Sequence, residues 1–163
     1  MFVQVGPAAA PAPYAGGMTG GNGHEQDLAA IGEVMGRLGA AFATLSPDGV
    51  AQLYTADADW TNAFGTSRKG GAQIEAYLAG LFADRHFAAG KPLGPPQADI
   101  RLLTADVAVA KTYLERAGQQ TADGATMAVR RNFSLKVFTR EPDGWKIASD
   151  IYMDARDDST LGG

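Results

Sequence analysis

The chain contains no cysteine, which excludes disulfides, thiolate metal sites and cysteine nucleophiles. A cysteine-free chain fits a reducing compartment, so a cytoplasmic location is the expectation. Histidine is scarce. His24 and His86 lie far apart, and neither has a second histidine or a carboxylate at helical ligand spacing on an obvious shared face; no metal site and no cofactor are expected. Positive charge is in deficit, with 14 basic against 18 acidic residues and a net charge of −4. That balance repels a phosphate backbone, and Arg130-Arg131 is the nearest thing to a basic cluster, so a nucleic-acid partner is not expected. No apolar run reaches the length of a bilayer span. Met1-Phe2-Val3-Gln4-Val5 lacks a basic start and is too short for a signal-peptide core, so neither membrane nor export is expected.

What is present is enough for one domain of 163 residues with 45% hydrophobic content. Residues 1–25 stand apart as an arm rich in Gly, Ala and Pro. Such a segment buries too little apolar area to offset its ordering entropy. Phe2, Val3 and Val5 give it an apolar tip suited to a neighbouring subunit or a sheet edge. The domain proper is expected over 26–156, with a short tail at 157–163.

Leu28, Ile31, Met35, Leu38, Phe42 and Leu45 recur at steps of three and four and predict a first amphipathic helix. Ser46-Pro47-Asp48 reads as the N-cap and first turn of a second, short helix. A third starts after Gly70-Gly71 and runs to about Arg85, with Ile74, Tyr77, Leu78, Leu81 and Phe82 as its stripe. The period then changes. Residues 98–104, 106–117, 126–140 and 145–155 read as strands, with turns at Asp123-Gly124 and Pro142-Asp143-Gly144. Helices first and strands later, with short connections, predict an α+β fold with an antiparallel sheet.

Trp60, Asn62 and Phe64 alternate, so on a strand they share one face. Two aromatics around one amide make an apolar wall with a polar handle, as in many ligand sites; a core edge with a hydrogen-bonded Asn is the other reading. Arg131 shares strand parity with Met127, Val129, Phe133, Leu135 and Val137. A guanidinium on so apolar a face needs a carboxylate, a dimer partner or a pocket. Asp150 and Glu115 are the first candidates for an ion pair, and an anion or enolate holder is the alternative role.

The helix ending Leu53-Tyr54-Thr55-Ala56-Asp57-Ala58-Asp59-Trp60, the Asn62-Ala63-Phe64-Gly65 turn, the Gly70-Gly71 helix start and the strand Asp143-Gly144-Trp145-Lys146-Ile147-Ala148-Ser149-Asp150 resemble the SnoaL-like branch of the NTF2-like, ketosteroid-isomerase-like superfamily. The helix end from Leu81-Phe82 to His86-Phe87 is similar to the SgcJ/EcaC-type subgroup, known from antibiotic and enediyne polyketide gene clusters. The resemblance covers 26–156. It implies a cone, in which a curved, mostly antiparallel sheet wraps three N-terminal helices around a blind pocket. It also implies a homodimer paired through the outer sheet face, and a hydrophobic small-molecule ligand.

Asn62 stands where the isomerases carry their proton-shuttling aspartate, and Leu38 stands near their oxyanion tyrosine. An amide orients a ligand or a water but is no base near neutral pH, so isomerisation by the family mechanism is not expected. A parallel with epoxide-hydrolysing relatives implies Asp150 as base beside Tyr152, with Arg131 and Asn62 holding an oxygen. Against it, Trp145, Ile147, Ile151 and Met153 form the more apolar face of that strand, opposite to Asp150 unless a bulge intervenes. Trp60, Phe64, Tyr113 and Phe133 are expected as walls, and His86, near the expected mouth, as an acid near neutral pH or a solvated helix end. The expected function is cofactor-free cyclisation, isomerisation or hydration of a polyketide-type intermediate. Non-catalytic ligand binding in the same pathway is the alternative.

Overall fold

A computed structural model describes residues 21–156. Residues 1–20 of the expected arm and the tail at 157–163 lie outside the described residues. The rest of the arm, 21–25, belongs to the first helix, α1 (Gly21–Thr44). Ile31 and Leu38 of its stripe are buried, and Met35 and Phe42 pack beside them. Near its N-terminus Asp27 accepts from Arg140 (2.7 Å) and from the indole N–H of Trp145 (3.1 Å), which ties the helix to the far strands.

The second helix is shorter than its expected start implies. Asp48 and Gly49 form a turn in which the Val50 N–H donates to the Pro47 carbonyl (3.1 Å), Gly49 takes the left-handed conformation (φ 80°), and a single 3-10 turn follows at Val50–Leu53. The expected helix ending over 53–60 is strand instead from Tyr54 onward. This strand, β1 (Tyr54–Thr61), stops before Asn62 and Phe64 and leaves them in the following turn. The short β2 (Ser67–Lys69) then leads into α2 (Gly70–Ala83). Gly70 and Gly71 permit this close join. Gly70 has φ +71°, and a Cβ on Gly71 would lie 2.2 Å from the Ala51 carbonyl oxygen. Backbone cannot yield that far, so Gly71→Ala is expected to lower unfolding stability by about 1–3 kcal/mol in urea melts.

The expected third helix is split at Asp84. Its carboxylate accepts from the backbone N–H groups of His86 and Phe87 and caps a one-turn helix, α3 (Arg85–Ala88). Strands β3 (Lys91–Pro92), β4 (Gln97–Leu102), β5 (Val107–Ala117), β6 (Arg130–Glu141) and β7 (Gly144–Asp154) complete the chain. The third long strand therefore begins at 130 rather than 126, since only an isolated bridge, Gln120–Thr126, orders the segment before it. Among the described residues, no helix is long and apolar enough to cross a membrane.

All seven strands join one sheet in the order β2-β1-β7-β6-β5-β3, with β4 also on β5. Every pairing is antiparallel except β1 with β7. The α+β class and the mostly antiparallel sheet are therefore as expected, but the cone is not. The sheet follows an open path whose ends, β2 and the β3/β4 edge, do not pair. The end strands β2 and β3 are only three and two residues long, too short to bring those edges together. The core is a layer of α1 and α2 against one sheet face, centred on Ile31, Ile74, Leu78, Phe138 and Ile147, all fully buried.

One irregularity decides the site. On β7, Ile147 pairs with Phe138 and Ser149 with Val137, so Ala148 is an extra residue opposite no partner. Such a β-bulge reverses the alternation beyond it. Trp145 and Ile147 face the helices before it; Asp150 and Tyr152 face them after it, and Ile151 and Met153 turn outward with more than half their surface exposed.

Candidate active site

A cavity of about 700 Å³ lies between the inner sheet face and the helices, within the usual range for small-molecule sites. Its apolar walls include Leu38, Phe42, Trp60, Leu81, Phe87 and Leu114. Gly36 and Gly39 of α1 also line it, and a Cβ there would meet nothing within 4 Å; the missing side chains widen the space.

Two regions of the lining are polar, and the first is built on Lys136 of β6 and Tyr152 of β7. The Lys136 Nζ donates to Ser134 Oγ (2.7 Å), to Asp150 Oδ1 (3.0 Å) and to the Tyr152 hydroxyl (3.4 Å), and it sits 4.6 Å from the Tyr152 ring centroid. Behind it, Asp150 is fully buried and its Oδ2 accepts from the Tyr54 hydroxyl at 2.9 Å. Ser134 in turn meets Thr112 at 2.5 Å. A buried charge is tolerated only when paired and hydrogen-bonded, and here both charges are. Trp60 completes this end: its ring stands 5.1 Å from Tyr77 and 5.9 Å from Tyr152, and its buried Nε1 has no hydrogen-bond partner.

Burial and the Asp150 carboxylate push the hydroxyls of Tyr54 and Tyr152 well above the ordinary tyrosine pKa. Both therefore stay protonated and act as donors. An unfolded tyrosine ionises near 10, so above that pH the unfolded chain sheds protons that the native one keeps. Their contribution to stability is complete below about pH 10 and is lost as pH rises further. Ultraviolet titration should then show two of the five tyrosines ionising only as the fold is lost; smooth ionisation of all the folded chain's tyrosines near pH 10 would contradict it.

The expected site residues fall into three groups. Trp60, Asn62, Phe64 and Tyr152 line the cavity. Asn62 is committed to its turn, since its Oδ1 accepts from the backbone of Phe64 and Thr66 and its Nδ2 donates to the Tyr77 hydroxyl. Asp150 faces inward, but it lies behind Lys136 and does not itself line the space. Arg131, Tyr113 and Phe133 are corrections. All three lie on the outer sheet face, where Tyr113 packs on Phe133 (4.9 Å) and donates to Glu115, and Arg131 is exposed beside Glu115. The expected partnership of Arg131 with Asp150 is not formed, because the two side chains point to opposite faces. His86 is also a correction. It sits on α3 outside the lining, with its Nδ1 buried and unpartnered.

The residues missed were Lys136, Tyr54, Ser134 and Thr112. On β6 the inward series is Arg130, Asn132, Ser134, Lys136 and Phe138, while Leu135 and Val137 belong to the outer one. The polar face turns in and the apolar face turns out, the reverse of an ordinary half-buried strand. The signal was the run of four polar residues at one parity.

A family model described as a SnoaL-like domain matches residues 24–149, and the chain belongs to that family. Solved structures share the fold. An uncharacterised protein with a cystatin-like fold from Caulobacter vibrioides aligns with TM-score 0.72 and 18% identity over 83% of this chain and 94% of its own. A candidate dehydratase of the NTF2-like family from Streptomyces avermitilis gives 0.64 and 14%, over 80% and 97%. A candidate scytalone dehydratase from Novosphingobium aromaticivorans gives 0.60 and 11%, over 82% and 87%. Among curated proteins, none matches this chain.

Proposed function

We propose that the chain is a cofactor-free acid–base enzyme acting on a hydrophobic, oxygenated small molecule held in the cavity. The observation that carries this reading is the donor cluster at its polar end. Lys136 and Tyr152 present an ammonium and a hydroxyl to a mostly apolar space. Donors fixed in a dry site stabilise the negative charge that grows on a carbonyl or alkoxide oxygen during enolisation or elimination. Asp150 holds Lys136 in place from behind; Lys136 gives one of its protons to Asp150 as it takes one from the substrate, so the ammonium is kept and the proton ends on the carboxylate. Cyclisation, dehydration and isomerisation all use this step. Candidate dehydratases and a candidate aromatic ring hydroxylase among the fold relatives support an enzyme of this kind.

The finer assignment follows the sequence resemblance: an intermediate of polyketide-type antibiotic biosynthesis, in a cytoplasmic protein of the SgcJ/EcaC-type subgroup. The proposed homodimer uses the outer sheet face, where Leu135, Ile151 and Met153 are each more than half exposed. A non-catalytic binding role is the second reading. It is favoured by one observation, the complete closure of Asp150 from the cavity.

The test is incubation with an extract of the source organism, followed by mass spectrometry of what is bound and what is converted. The enzyme reading predicts a bound compound that the wild type transforms and Tyr152→Phe transforms at least about a hundredfold more slowly. Binding without conversion by either protein would replace it with the carrier reading.

A further inference from the structure

We infer that the cavity carries an anion subsite at the end opposite Lys136, built on Arg116, so that its ligand is a hydrophobic carboxylic acid. This rests on the cavity reading above and names the substrate class. Arg116 of β5 is 7% exposed and lines the cavity. Its Nη2 donates to the Gly90 carbonyl at 3.2 Å and its plane lies over Phe87 at 4.8 Å. Its Nε is buried without a partner, and no carboxylate forms a salt bridge with it among the described residues. A guanidinium this buried and uncompensated is costly.

Its cross-strand neighbour makes the cost greater. Arg130 of β6 is the register partner of Arg116 and also lines the cavity. Like charges opposed across a ladder are unfavourable. Arg130 is neutralised by Asp154, whose two oxygens its Nη2 reaches at 3.0 Å each, while its Nη1 donates to Gln119 at 2.9 Å. Asp154 is further held by Asn132. Two guanidiniums and one carboxylate leave a single positive charge, and Arg116 carries it. Burial and Arg130 both press the Arg116 pKa downward, as expected for a cation awaiting an anion.

The charge left over is one, which fits a monoanion, and Asp154 opposes a dianion such as a phosphate monoester. A planar carboxylate matches the guanidinium fork. The walls at this end, Phe64, Phe87 and Pro92, suit an apolar chain. Arg130 and Lys136 are six positions apart on one strand, so the two polar ends stand roughly 20 Å apart. An acid with its carboxylate at Arg116 thus extends toward Lys136 and Tyr152 with its more remote carbons and any oxygen on them.

The experiment is calorimetric titration of the full chain with decanoate and with 1-decanol, in wild type and in Arg116→Met. Wild type is expected to prefer the acid by roughly ten- to hundredfold, the scale of one charge-assisted contact. Arg116→Met should lose that preference and keep its affinity for the alcohol. Should the variant fail to fold by circular dichroism, the wild-type comparison decides alone. Equal affinity of wild type for acid and alcohol overturns the subsite and leaves the cavity reading standing. Binding of neither overturns both.

Discussion

Asp150→Asn is expected to abolish turnover while ligand affinity changes little. The carboxylate does not touch the cavity; it fixes the Lys136 Nζ at 3.0 Å and, through it, the donor geometry around Tyr152. Asparagine keeps the shape and an acceptor for Tyr54, but it removes the charge that balances the ammonium and the sink for its proton. A loss of about 10²- to 10⁴-fold in kcat follows from disabling one acid–base partner. Loss in kcat with an unchanged dissociation constant separates this positioning role from simple damage to the pocket. Unfolding should cost about 3 kcal/mol less, since a lysine loses its buried partner. A variant with full turnover would remove Asp150 from the chemistry.

The largest effect on stability is expected from Lys136→Met. It leaves a fully buried carboxylate with only the Tyr54 hydroxyl to meet it, and breaking such a pair costs about 3–5 kcal/mol. Adding Asp150→Asn removes the stranded charge. The double variant should lose less than the two single losses summed, by a coupling of about 2–3 kcal/mol in a double-mutant cycle read by denaturant melts. It should not regain turnover, because a thioether neither donates nor carries charge. Strictly additive losses would mean that the two groups are not energetically paired.

Much of the architecture was legible in the sequence. The stripe of α1, the Gly70-Gly71 helix start and the four long strands needed only periodicity and turn chemistry, because those signals are local. The sheet's closure was not local. Strand pairing at the edges depends on segments of two and three residues, and no pattern in such short pieces announces whether they meet. The sequence names Asp150 and Tyr152 for the site and leaves the face of Asp150 open unless a bulge intervenes; Ala148 is that bulge. Parity on β6 read by apolarity puts Arg131 inside, and there the structure differs. That error has a physical cause. The alternation rule assumes that water lies on the polar side of a strand, and in this sheet the polar side of β6 faces the cavity beneath the helices. Asp150 and Lys136 pair across β6 and β7, a contact that only the bulged register creates.

The central claim is that the ligand's oxygen lies against the Lys136 ammonium and the Tyr152 hydroxyl inside the sheet–helix cavity. An experimental structure of the protein with the compound captured from the source organism's extract tests it most directly. The account predicts an oxygen of that compound within about 3.2 Å of both the Lys136 Nζ and the Tyr152 Oη. A ligand seated on the outer sheet face, or one lying in the cavity with only carbon atoms toward Lys136, would contradict it.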